Sequence, residues 1–100
     1  MTTHDEWLER RTAGSPPVLL ARVRQALDAA PEGTLGERLA LAGESALRAA
    51  EEKGSSREAA LDLLAADALV TLTLLEAAER DPAGLATAAD RLLADAVRPA

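Results

Sequence analysis

The stretch Lys53-Gly54-Ser55-Ser56-Arg57-Glu58 decides how this chain is read, because it stops one helix and starts another. Gly54 suits the left-handed conformation that commonly closes a helix. Ser55 with Glu58 has the spacing of a capping box, in which a hydroxyl accepts from an orphan amide and the carboxylate reaches back to the cap. Two long helices therefore meet at Gly54.

Working upstream, Thr34-Leu35-Gly36-Glu37 repeats the capping-box spacing and predicts a helix over residues 35–53. Ser15-Pro16-Pro17 offers a cap followed by first-turn prolines, and Pro31 ends the apolar run, which predicts a helix over 17–30. Downstream, the helix opened after Gly54 should span 56–80, and Asp81-Pro82 opens a last one reaching about residue 98. Thr3-His4-Asp5-Glu6 can cap only a short helix, so residues 1–14 read as an arm or short helix ahead of one helical-bundle domain over 15–100. Apolar content is nearly all alanine and leucine, with no isoleucine, phenylalanine or tyrosine, which leaves little material for strands. The expected fold is all-α: a small bundle of four main helices with a short N-terminal helical arm.

Projection at 100° per residue sorts the helix faces. Leu19, Leu20, Val23, Ala26 and Leu27 share one side of the first main helix, and Leu35, Leu39, Ala42, Ala46 and Leu47 one side of the second. Gly36, Ala40 and Gly43 line a flank of that second helix and mark a seam for close backbone approach. The last helix gathers Leu85, Ala89, Leu92, Leu93, Ala96 and Val97. The helix over 56–80 is apolar around most of its circumference. Its narrowest polar stripe, Glu58, Asp62, Ala66, Leu69, Thr73, Glu76 and Arg80, is expected to face outward. On that projection Asp67 points inward among Ala60, Leu63, Leu64, Thr71 and Leu74.

Composition excludes several classes of function. Without cysteine there is no disulfide framework, thiolate metal site or cysteine nucleophile. The polar first residues do not resemble a secretory leader, so a cytoplasmic protein is expected. A net charge of −6 and a single aromatic residue, Trp7, oppose nucleic-acid binding, which needs local cations and stacking surfaces. Asp62, Asp67 and Glu76 break the longest apolar helix, and a mid-span aspartate costs about 2.5–3.5 kcal/mol on insertion scales, so no membrane span is expected. The glycines form no phosphate-binding loop, and His4 has no carboxylate partner at metal-site or triad spacing. No cofactor, metal or catalytic residue is therefore assigned, and enzymatic activity is not the leading expectation.

Two residues admit contrasting readings. A buried Asp67 either orients a ligand together with Thr71 one turn on, or is neutralised by an arginine, such as Arg22 or Arg24 from the first main helix or one from another subunit. Trp7, near Arg10 and Arg11, either anchors a partner or folds back with Leu8 over one end of the bundle. The leading expectation is a protein-interaction module that self-associates or docks on a partner through the long apolar helix, with Trp7, Leu69 and Thr73 at the contact and Asp67 and Thr71 as internal polar groups. The alternative is a small carrier or enzyme holding an apolar ligand between alanine-rich helices.

Overall fold

The computed structural model describes residues 3–96, and the side chains within that range except those of residues 3, 88, 89, 92, 95 and 96. Among the described residues it is all-α, with helices α1 (Thr3–Thr12), α2 (Pro17–Ala29), α3 (Leu35–Lys53), α4 (Arg57–Arg80) and α5 (Pro82–Ala96), and no strand.

Local chemistry sets the boundaries. At the head of α3 the Thr34 hydroxyl accepts from the Glu37 amide at 3.1 Å while Glu37 accepts from the Thr34 amide at 3.0 Å, so two orphan donors are satisfied reciprocally. Gly54 ends α3 at φ +68°, where a side chain would be strained. The cap of α4 is Ser56 rather than Ser55: its hydroxyl accepts from the Ala59 amide at 3.0 Å. Glu58 is thereby released from capping and turns to Arg22. Asp81 caps α5 by accepting from the Gly84 amide at 2.9 Å. Helix α2 starts on Pro16 and Pro17 with no side-chain cap, the fixed proline φ alone favouring its first turn.

Helices α2, α3 and α4 pack on one another around Val23, Leu27, Leu35, Leu39, Ala42, Ala46, Ala65, Ala66, Leu69 and Leu72. The expected arm is helix α1, docked through Leu8, which is 2% exposed and belongs to the same core. Helix α5 packs chiefly on α4. Leu93 on it is exposed, whereas the expected face residues Ala89, Leu92, Ala96 and Val97 have no described side chains.

Helix α4 is turned the other way from the sequence expectation. Asp62, Ala66 and Leu69, expected on the outward stripe, are 3%, 4% and 0% exposed. Leu63, Leu64 and Leu74, expected inside with Asp67, are 54%, 56% and 53% exposed. Two physical reasons favour this orientation. Ala59, Ala65 and Ala66 form a flat face on which α2 and α3 approach closely, and Gly43 of α3 meets it, a Cβ there lying only 3.5 Å from that of Leu69. The one acid this buries centrally, Asp62, has cations waiting on both neighbouring helices.

Candidate functional site

Asp62 is where the buried charge is resolved. One carboxylate oxygen accepts from Arg22 of α2 at 2.6 Å and the other from Lys53, the last residue of α3, at 2.5 Å. Arg22 also reaches Glu58 of α4 at 2.7 Å, so three helices are tied by four side chains. The Lys53 hydrogen bond above all, and then that of Arg22, holds the Asp62 carboxyl below its ordinary range against the opposing effect of burial. Arg22 is correspondingly raised by its bonds to Glu58 and Asp62. With a cation on each carboxylate oxygen, the network reads as a tie between helices. Arg22, offered from sequence alongside Arg24 as a partner for Asp67, pairs with Asp62 instead.

Asp67 is exposed, and its inward placement does not hold. It lies about 140° around α4 from Asp62, five residues at 100° each. Thr71 is exposed too, its hydroxyl donating to the Asp67 carbonyl at 2.9 Å, a bond internal to the helix. Leu69 is fully enclosed and presents nothing to a partner. Thr73 is half-buried, with its hydroxyl on the Leu69 carbonyl at 2.7 Å.

Trp7 lies half-buried against the core, and its indole N–H donates to Glu79 of α4 at 3.4 Å. Arg11 covers the ring at 5.7 Å from its centre and pairs with the same Glu79 at 2.5 Å. Those donors, Arg11 first, lower the Glu79 carboxyl from its ordinary range. Nearby, Glu76 accepts from Arg80 at 2.8 Å through one oxygen. Its other oxygen is enclosed with no hydrogen-bond partner among the described residues, where a Cβ on Gly36 would come within 2.7 Å. Gly36 thus leaves the space that this carboxylate occupies at the head of α3.

The surface opposite Asp62 is the candidate site. Between α3 and α4 runs an open groove of about 640 Å³. Ala40, Gly43 and Ala66 form its floor, and Leu47, Leu63, Leu64, Val70 and Leu74 its walls. Past Leu47 and Leu63 it continues into a hollow along Ala50, Ala60 and the Gly54 turn. Glu44 and Asp67 stand on opposite walls and Glu51 beside the extension, and none of the three has an ion-pair partner among the described residues. Of the residues proposed from sequence, Thr73 and Asp67 line this groove, while Trp7 lies at the α1 end, Leu69 beneath the surface and Thr71 off the lining. The wall leucines of α4, Leu63, Leu64 and Leu74, are visible in the sequence as apolar residues on a helix with few polar positions; their direction is not.

Among the described residues no helix is long and apolar enough to cross a membrane, and no three acidic or histidine side chains gather as metal ligands. Comparisons with protein-family models, with curated proteins and with solved structures find no match to this chain.

Proposed function

We propose that this chain is a small helical protein-interaction module of the cytoplasm that receives an apolar helix in the groove between α3 and α4. The observation that carries the reading is the unbroken wall of Leu47, Leu63, Leu64, Val70 and Leu74, each of the five between 45% and 56% exposed on one face of the molecule. Scattered exposed leucines need no explanation, but a contiguous apolar groove between two helices supports an association reading. Grooves of this kind take an amphipathic helix through anchors at positions i, i+3 or i+4, and i+7. The experiment compares wild type with Leu64→Glu and Val70→Glu by sedimentation equilibrium and by fluorescence anisotropy of a labelled amphipathic helix with uncharged flanks. Folded variants that lose self-association or helix binding shown by the wild type support the reading. A wild type that stays monomeric and binds no helix removes it.

A second reading, a carrier for an apolar small molecule, takes support from the groove's volume, which falls in the range of about 300–1,000 Å³ common to ligand sites. Asp67 would meet the polar end of such a ligand. Native mass spectrometry of the purified protein separates the two readings: a retained apolar compound lost in Val70→Glu favours the carrier.

A further inference from the structure

The charge around the groove selects its occupant. Among the described residues, Glu44, Glu51 and Asp67 are the charged ones that line the groove and its extension, and no arginine or lysine lines either. Arg48 of α3 lines the adjoining hollow beside the end of α2, on whose edge Glu44 also stands, and is neither among the groove's lining residues nor ion-paired with Glu44. Lys53, the only lysine in the chain, is held on Asp62 on the opposite face of α4. The chain as a whole carries −6, so the wider field has the same sign as the groove.

The positions of the acids set a pattern. Glu44 and Glu51 lie seven residues apart on α3, two helical turns or about 10 Å. Gly43 meets Leu69 and Val70, and the short turn at Gly54 makes α4 run back along α3. Asp67 therefore falls at a height between the two glutamates, on the other wall. From Ala40 to Gly54 the trough extends about 21 Å, the length of a four-turn helix. Two copies of this chain stacked groove to groove would bring three carboxylates from each into one partly desolvated seam without a cation, an arrangement that like-charge repulsion opposes. An anionic lipid surface is repelled for the same reason.

Resting on the proposed interaction function, we infer that the groove's partner is another protein's amphipathic helix of about four turns, whose apolar stripe is flanked by lysine or arginine on both sides. On one side its cations are spaced by about two turns to face Glu44 and Glu51; on the other a cation between them in height faces Asp67. The leucine walls supply the burial and the three acids supply orientation and selectivity.

The test uses the full chain and three labelled peptides of equal length that share one leucine and alanine stripe, flanked by arginine and lysine, by glutamine, or by glutamate. Fluorescence anisotropy is read at low and high salt, with wild type and with the triple variant Glu44→Gln, Glu51→Gln, Asp67→Asn. All three substitutions are at exposed positions, and far-ultraviolet circular dichroism confirms the fold. The expected result is at least tenfold tighter binding of the basic peptide than of the acidic one. That gap should shrink at high salt and close in the triple variant, while the uncharged peptide binds both proteins alike. If all three peptides bind wild type and the triple variant equally, the inference about charge is overturned and the groove reading stands. If none binds, both fall.

Discussion

The two faces of α4 contain much the same chemistry and meet opposite fates. The buried one carries Asp62, Ala65, Ala66, Leu69 and Leu72; the open one carries Leu63, Leu64, Asp67, Val70 and Leu74. Counting apolar atoms would bury the second. What differs is reach: the first face has alanines that admit α2 and α3, and its aspartate has Arg22 and Lys53 within hydrogen-bond distance. Large side chains on the second face stay about half exposed and line the groove between α3 and α4 instead. Burial in a helix that is apolar nearly all round follows shape and charge partners rather than hydrophobicity alone.

The largest expected effect breaks the comparison outright. Leu69→Ala, at a fully enclosed position, should cost about 2–5 kcal/mol of stability, while Leu64→Ala on the open face should stay within about 0.5 kcal/mol. Guanidinium denaturation of both variants measures it, and equal losses would mean that α4 is oriented differently. Next, Arg22→Ala should cost about 1.5–3 kcal/mol, since one Asp62 oxygen loses its charged donor while Lys53 keeps the other; Asp67→Asn should leave the unfolding midpoint unchanged.

Acid sharpens the same contrast. Because the Asp62 carboxyl is lowered in the folded state, its contribution is present above the unfolded value of about 3.9 and is lost as pH falls through the lower folded value. Between pH 5 and 2.5 the wild type should therefore lose more stability than Asp62→Asn. Glu58, Glu79 and Glu37 are also lowered and supply the loss common to both proteins. The smallest effect is a gain: Gly43→Ala should stabilise by about 0.5–1 kcal/mol. A methyl there meets Leu69 and Val70 at 3.5–3.8 Å, ordinary contact, and removes a flexible residue from a helix interior. A loss would show the α3 and α4 seam to be tighter than described.

The helix ends were legible because their causes are local. Thr34 with Glu37, Gly54, and Asp81 before Pro82 each act within four residues, and α3 begins and ends where their spacing placed it. Even there one cap differs, Ser56 taking the role expected of Ser55 while Glu58 pairs with Arg22. The α3 flank of small residues was legible too, since Gly36 and Gly43 both face α4. The orientation of α4 was not, because its deciding partners lie 40 and 9 residues from Asp62 and periodicity carries little direction in a helix with apolar residues all round. The candidate site inherited that error. Thr73 and Asp67 line it, Asp67 from an exposed wall rather than from inside as expected, while Leu69 lies buried and Thr71 exposed, each the reverse of the sequence expectation.

Trp7 is the sole aromatic side chain of the chain, and it sits where α1 meets α4, at Glu79. Its fluorescence therefore watches one junction, while circular dichroism watches every helix. Followed together through a denaturant titration, the two signals report whether the N-terminal helix melts with the bundle or detaches beforehand. A groove occupant seated along Leu63 to Leu74 would leave the indole emission largely unmoved, so the natural probe can follow folding while a labelled peptide follows binding.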